Sequence, residues 1–514
     1  MKKGQILSII FVLIANLALA QAKVNSNDFS VKGFHLDLRI QVMKMPALKA
    51  FAKKLSENGV NTLVMEWEAT YPFKDHPMIA NRFAYTREEV VDFISYCKTI
   101  NIDVIPLQQS FGHVEYILRN YRYKDQREDQ KDYSQVDPLK EDLNGTLFKE
   151  LYTDLISTHS SKYIHIGGDE TYLLGHSEKS KKKAQELGKG RLYGDYIKLL
   201  CDLVVSLGKT PVLWADIAIK YPDALSLLPK QTIFIDWNYG WDINMFGDHN
   251  KLLESGFEIW GSPSIRSHPD NYFLTQWEKH FKNIKDFIPT ARNFGYKGMV
   301  MTSWSTSGLY SPVFETTRDI VDLYAIRRVY PITGFNMLID AYFEALKSKE
   351  PLNIAQFAKN YSLKNYGFNE VQSKTFWDAL TKAPYEITQG AVSNKNVSVN
   401  QLLDSAKLAS KQLYDLKPSK GKEEFEHYRL MADIRVQYLT YSALEIELNS
   451  PNFNPERIPA IISELKQLDT KTLNKRFIAL NKYALHEAEL DQENELRNAK
   501  IKLLIQRLSR SKTN

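Results

Sequence analysis

The sequence has 514 residues, 43% hydrophobic and 25% charged, which is long enough for more than one folded core and excludes a disordered chain or a membrane bundle. Lysine and arginine total 67 against 61 acidic residues, and the resulting formal charge of +6 is too dilute for the basic stripe that nucleic acid requires. Aromatic residues make up 12% of the chain, with 28 Tyr, 25 Phe and 8 Trp, which favours a site built from rings.

Residues 1–20 read as an export signal: Lys2 and Lys3, an apolar run from Ile6 to Ala15, then Ala18-Leu19-Ala20 as the cleavage site before Gln21. No cysteine follows for a lipid anchor, and no later stretch approaches the roughly 18 apolar residues of a membrane helix. The mature chain is therefore expected to be soluble and exported, periplasmic or secreted. Cys97 and Cys201, the two cysteines, fall in helix-like patterns and read as separate buried thiols.

Eight short runs rich in Val, Ile and Leu follow, at 31–38, 60–67, 102–109, 162–168, 210–216, 232–239, 256–261 and 298–304. Most are apolar on both faces, as buried parallel strands are. Helical spacing between them is clearest at 45–58, 87–99, 146–158, 191–207 and 312–330. Eight strands alternating with helices predict a closed (β/α)8 TIM barrel over residues 21–345. An open doubly wound sheet fits less well, because His35-Leu36-Asp37-Leu38-Arg39 stands where a glycine-rich phosphate turn would follow the first strand. Beyond Gly367 glycine thins out, and helical periodicity at 399–416, 423–448 and 455–508 predicts an all-α C-terminal domain over 346–514. Its Lys/Glu-rich faces read as solvated helix surfaces, with the junction between 345 and 365.

Barrels of this kind place their chemistry at the carboxyl ends of the strands. Trp67 ends the second run, Trp214 and Asp216 the fifth, Trp237 and Tyr239 the sixth, Trp260 the seventh and Trp304 the eighth, so five tryptophans are expected on one rim. The flat C–H faces of sugars stack on such rings, and their hydroxyls need interleaved polar groups. The fourth run finishes His165-Ile166-Gly167-Gly168-Asp169-Glu170, where the glycines allow the backbone to bend and two neighbouring carboxylates to diverge. Ordinary glycosidases place two carboxylates about 5 to 9 Å apart on opposite sides of the scissile bond, a placement that sequence neighbours do not easily reach. Neighbours suit a substrate that brings its own nucleophile: one acid protonates the leaving oxygen while the other steadies an attacking 2-acetamido group.

His165 to Glu170 resembles the His-x-Gly-Gly-Asp-Glu motif of glycoside hydrolase family 20, the β-N-acetylhexosaminidases, and the remainder is similar to the branch containing hexosaminidase D. The resemblance covers about residues 33 to 330 and includes His35-Leu36-Asp37-Leu38, Ile105 to His113, Val212-Leu213-Trp214-Ala215-Asp216 and Asp236-Trp237-Asn238-Tyr239. It implies that Glu170 is the general acid and later the base, and that Asp169 holds the acetamido N–H and the oxazolinium charge. It further implies that Tyr239 donates to the acetamido oxygen and that Trp214, Trp237 and Trp304 enclose the methyl group and the ring. Asp37 and Arg39 become candidates for the far hydroxyls. His113 matches the family's third-strand histidine, although Phe111 replaces the usual proline and Gln108 stands near its usual acid. Asp216 joins the substrate-binding set. The family's eighth-strand glutamate is replaced by Thr306, leaving Glu315 as the nearest acidic substitute, and the small mixed domain that often precedes this barrel has no counterpart before residue 31.

The leading expectation is an exported exo-β-N-acetylhexosaminidase acting with retention on terminal N-acetylglucosamine or N-acetylgalactosamine of oligosaccharides or glycoconjugates. The alternatives are a non-catalytic carbohydrate-binding protein using the same pocket, and a two-carboxylate glycosidase pairing Glu170 with Asp216. A pure binder has no need of a buried proton donor of raised pKa, which the enzyme reading expects of the Asp169–Glu170 pair. His, Cys and carboxylates show no metal-ligand spacing, so neither a catalytic metal nor a cofactor is expected.

Overall fold

A computed structural model describes residues 28–306, 328–388 and 391–510. The export signal, most of the helix expected at 312–330, and Glu315 lie outside the described residues. The strands are β1 (Val31–Asp37), β2 (Thr62–Glu66), β3 (Asp103–Leu107), β4 (Tyr163–His165), β5 (Thr210–Trp214), β6 (Ile233–Trp237), β7 (Glu258–Ser262), β8 (Ser264–Arg266) and β9 (Gly298–Ser303). β1 to β7 pair in parallel in chain order, β9 follows β7, and β9 closes on β1 with Val31 opposite Gly298 and Phe34 opposite Met301. That closure makes an eight-stranded TIM barrel and rules out the open sheet. β8 extends β7 beyond Pro263 and pairs beside β9; its Ser-Ile-Arg carries too little apolar alternation to read as a strand.

Barrel helices form where apolar residues recur at helical spacing behind a good cap. In Arg87–Thr99 the Thr86 side chain accepts from Glu89 N–H while Glu89 reaches back, and Val90, Phe93, Ile94 and Cys97 make the buried stripe. Lys189–Ser206 buries Leu192, Tyr193, Tyr196, Ile197, Leu200, Cys201 and Val204. Both cysteines are free and buried, and burial pushes each thiol up to about 12.

Inside the barrel, Val64, Ile105, Val212, Ile233, Trp260 and Val300 pack as an apolar plug. Toward the carboxyl ends the lining turns polar: His35 Nε2 lies 2.8 Å from Glu66 Oε2, and Gln109 donates to Glu66 Oε1 at 3.1 Å. The floor is thus apolar and the mouth is hydrogen-bonded.

After the barrel come the helices Asn336–Lys347, Ile354–Tyr366, Glu370–Thr381, Val399–Asp415, Lys422–Leu448, Ile458–Gln467, Thr470–Asn481 and Glu487–Arg510, with one small antiparallel pairing of Ile387–Thr388 against Ala391–Val392. Asn336–Lys347 runs through residue 345 and belongs to the barrel: Tyr342 O–H donates to the carbonyls of Gly33 and Met299. One continuous hydrophobic cluster runs from Phe29 through the barrel helices to Leu490.

The last helix reaches the active end of the barrel. Glu489 accepts from the backbone N–H of Gln41 (2.5 Å) and of Val42 (2.9 Å), and Gln41 Nε2 donates to Glu493 Oε1 (3.1 Å). Lys44 N–H donates to Ala484 O (2.7 Å). Residues 41–44, immediately beyond β1, are held by residues 484–493.

Candidate active site

Each candidate side chain is delivered by a strand end or the loop beyond it. Beyond β4 the backbone turns through Gly167 and Gly168 at φ +73° and +92°, and Glu170 itself sits at φ +46°, a left-handed conformation costly for a side-chain-bearing residue. The bend aims Asp169 inward, 5% exposed, and leaves Glu170 partly open to the mouth. Gly112, in the loop after β3, approaches the same backbone; a Cβ there would meet Asp169 O at 2.6 Å. This close approach sets His113 Nε2 at 3.2 Å from Glu170 Oε2 and 3.5 Å from Asp169 Oδ2. Tyr152 and Tyr196 brace that loop, donating to Ser110 Oγ (2.7 Å) and Ser110 O (3.1 Å).

A chain of contacts runs from these acids around the mouth. Glu170 N–H donates to Asp216 Oδ2 (3.1 Å), and Trp237 Nε1–H to Asp216 Oδ1 (3.2 Å). The Trp237 ring lies 5.2 Å from that of Tyr239, whose oxygen accepts from Trp304 Nε1–H at 2.8 Å. The Arg39 guanidinium stands 5.2 Å over the Trp304 ring, and the rings of Trp214 and Trp304 are 6.0 Å apart. Arg39 is locked to Asp37 through its backbone N–H (2.8 Å), Nε (3.1 Å) and Nη2 (3.2 Å), and Ser305 adds two further donors to Asp37. Asp37, Arg39, His113, Asp169, Glu170, Trp214, Asp216, Trp237, Tyr239 and Trp304 therefore occupy one continuous setting.

The rim holds fewer tryptophans than the expected five. Trp67 points outward between barrel and helix, its Nε1–H donating to His159 Nε2 (3.0 Å) and its ring edge-on to Tyr85 and Phe93. Trp260 fills the barrel floor against Tyr163 and donates to Glu258. Both are packing residues: Trp67 faces away from the barrel interior because side chains along a strand alternate between the two faces of the wall, and Trp260 faces inward but lies in the floor below the mouth. Trp241 takes a place the strand-end pattern missed, its ring 5.3 Å from that of Trp237 and 5.2 Å from that of Tyr239. His165 is a core residue: its Nδ1 accepts from Gly167 N–H, and burial keeps it neutral.

Electrostatics divide the acids. Burial opposes a charge on His113, but Asp169 and Glu170 outweigh it and hold its pKa well above the usual imidazole range. Burial also pushes Glu170 up, yet the hydrogen bond and charge of His113, helped by the Tyr172 hydroxyl at 2.7 Å, draw it below the ordinary value. The expectation of a raised proton donor is thus not met by Glu170, because His113 competes for its proton. Asp216, by contrast, is a raised carboxyl, lifted to about 8 by burial and by the neighbouring charge of Asp169. Asp37 moves the other way: burial would raise it, but Arg39 brings it to about 2.

Glu68, Glu115 and Tyr172 escaped the sequence reading. Glu68, at φ +45° one residue past Trp67, is buried with neither carboxylate oxygen partnered among the described residues; burial and the charge of Glu66 hold it well above the carboxylate range. Its position just beyond a strand end was the available signal.

A TIM barrel with carboxylates, tryptophans and a buried tyrosine at its carboxyl mouth has the architecture of a carbohydrate-cleaving enzyme. Residues 19–313 match the glycosyl hydrolase family 20 catalytic domain, and the chain belongs to that family; it is a glycoside hydrolase of the β-N-acetylhexosaminidase class. Among curated relatives, hexosaminidase D of Bos taurus is 24% identical over 298 residues, covering 55% of this chain and 86% of that protein. Hexosaminidase D of Homo sapiens is 23% identical over 307 residues, and the match spans 56% of this chain and 63% of that one. A solved β-N-acetylhexosaminidase from Bacteroides fragilis superposes with a TM-score of 0.48 at 18% identity, covering 65% of this chain and 69% of that chain.

Proposed function

We propose that the protein is an exported exo-β-N-acetylhexosaminidase that removes terminal N-acetylglucosamine or N-acetylgalactosamine from glycans by substrate-assisted, retaining catalysis. The observation that carries the mechanism is the closeness of the two acids. Asp169 and Glu170 both reach His113 Nε2, at 3.5 and 3.2 Å, so they stand together on one side of the mouth rather than on the two faces of a sugar that a nucleophile and an acid flank. Asp216 does not supply the missing nucleophile, because both its oxygens are already engaged, Oδ2 by Glu170 N–H and Oδ1 by Trp237 Nε1–H, while burial and the charge of Asp169 favour its protonated form. The 2-acetamido group of the substrate is then the nucleophile.

In this reading the proton comes from the His113–Glu170 pair: His113, held charged by the two acids, passes it to Glu170, which on the open side delivers it to the leaving oxygen and later takes one from water. Asp169 has one carboxylate oxygen, Oδ1, without a partner among the described residues, ready to accept the acetamido N–H and face the oxazolinium charge. Burial keeps the Tyr239 phenol protonated while Trp304 occupies an acceptor position on its oxygen, so its own proton serves the acetamido oxygen. Trp214, Trp237 and Trp304 bound the pocket for ring and methyl, and the Asp37–Arg39 pair presents the hydroxyl-binding edge. No described helix is long and apolar enough to cross a membrane. Export rests on residues 1–20, and N-terminal sequencing of protein from the periplasm or medium, starting at Gln21, is its check.

The mechanism is tested with the thiazoline analogue of N-acetylglucosamine, which mimics the bicyclic intermediate. Strong competitive inhibition, and scarcely any turnover of a plain glucoside, are expected. Tyr239→Phe should weaken both turnover and thiazoline binding. A thiazoline no better than free sugar, together with a fluorosugar trapped as an ester on a carboxylate, overturns the reading.

A further inference from the structure

The grouping of His113, Asp169 and Glu170 has a second chemical capacity. We propose that His113 Nε2, Asp169 Oδ2 and Glu170 Oε2 form an inhibitory binding site for a divalent cation of the zinc class. Zinc bound to imidazole and carboxylate at about 2.0 to 2.2 Å in a tetrahedron has ligand atoms about 3.3 to 3.5 Å apart. His113 Nε2 already stands 3.2 Å from the Glu170 oxygen and 3.5 Å from the Asp169 oxygen, with all three atoms within 4.8 Å. The two His113 distances already match that tetrahedron, and the Asp169 and Glu170 oxygens, within 4.8 Å of each other, close on one ion by rotation of the Glu170 side chain. One nitrogen with two carboxylates suits zinc or a similar transition metal; magnesium and calcium demand six or more oxygens.

The site is built rather than incidental. Asp169 and His113 are over nine-tenths buried, and Asp169 Oδ1 and His113 Nδ1 have no hydrogen-bond partner among the described residues. Both loops that carry the ligands are pinned, one by the Gly112 approach and the other by the bend at Gly167. Three protein ligands leave a fourth position for water or a substrate oxygen on the open side of Glu170. When the ion binds, the Nε2 hydrogen of His113 leaves to solvent, and the cation takes the lone pairs of both acids. Inhibition rests on the catalytic reading given above, since the ion occupies the groups that reading uses; binding of the ion does not.

The test is calorimetric titration of metal-stripped full-length protein with zinc chloride, repeated with the pocket filled by the thiazoline. One saturable site is expected, reversed by EDTA, absent with magnesium chloride and blocked by the thiazoline. His113→Gln should weaken it by about a hundredfold or more, since even outer hydrogen-bond partners of a metal ligand are worth about 10- to 100-fold. Asp169→Asn serves as a second variant, and circular dichroism establishes that each is folded. No saturable zinc binding by the wild type, or equal affinity in both folded variants, overturns the proposal. A protein that binds thiazoline but not zinc keeps its mechanism and loses this site; one that binds zinc at these residues but not thiazoline does the reverse.

Discussion

Glu170 carries two hydrogen-bonding neighbours, His113 on Oε2 and the Tyr172 hydroxyl on Oε1. Replacing it by glutamine keeps the shape and removes the group that passes a proton to the leaving oxygen. Glu170→Gln should lose about 10²- to 10⁴-fold in turnover of substrates with poor leaving groups and far less with activated aryl glycosides, whose leaving oxygen needs no proton. Parallel kcat measurements on both classes check this, and equal losses would remove Glu170 as the acid. Asp169→Asn should cost about 10²- to 10³-fold on both classes, because an amide cannot offset an oxazolinium charge; near-normal turnover in the folded variant would exclude Asp169 from the mechanism. At this scale the sequence was informative where a residue stood in a motif-bearing run, as with the placement of Trp214, Tyr239 and the Asp169–Glu170 pair, whereas strand-end position alone misplaced Trp67 and Trp260. It was silent on protonation. That His113 draws Glu170 down while Asp216 is pushed up depends on loops meeting across the mouth, and neither motif nor spacing contains those distances.

Among elements, the contact between the β3 and β4 loops decides the geometry. Gly112→Ala puts a methyl group 2.6 Å from Asp169 O, a backbone atom that cannot swing aside. The variant should fold, with a stability loss of about 1 to 3 kcal/mol from overpacking. Its turnover should fall by about 10²-fold through displacement of His113 from the acids. Thermal melts alongside kinetics separate the two effects, and unchanged kcat would show that the loops tolerate separation. The eight barrel strands were legible because parallel strands buried on both faces leave continuous apolar runs, and each observed strand falls within its expected run or nearly so. Helix starts were less so: Glu141–Thr158 begins five residues before the expected 146, because polar residues in a first turn leave no hydrophobic trace. β8 was invisible, being three residues long with only Ile265 apolar. The outward turn of Trp67 was equally hidden, since the side of the wall a strand-end ring takes depends on register.

For the whole molecule, the decisive contact joins the last helix to the first barrel loop. Burial and the nearby Glu493 lift Glu489 from 4.5 to about 7 while it accepts the N–H groups of Gln41 and Val42. A carboxyl whose folded pKa is raised loses stability when it ionises, so the cost opens above pH 4.5 and is complete above about 7, on the order of 3 kcal/mol. Glu489→Gln cannot ionise. The Tm advantage of wild type over this variant should shrink steadily from pH 5 to pH 8, and a constant difference would show that Glu489 does not titrate there. The same contact spans 448 positions of sequence. Loop-closure entropy has to be overcome before so distant a pairing gives anything back, so this contact forms only once the intervening chain has folded. On the ribosome, β1 and the loop carrying Arg39 are made more than 400 residues ahead of Glu489 and wait for it. A nascent chain halted after the barrel would hold Asp169 and Glu170 yet leave the loop beyond β1 without its anchor, so residues 41–44 are held in place only after residues 484–493 have been made.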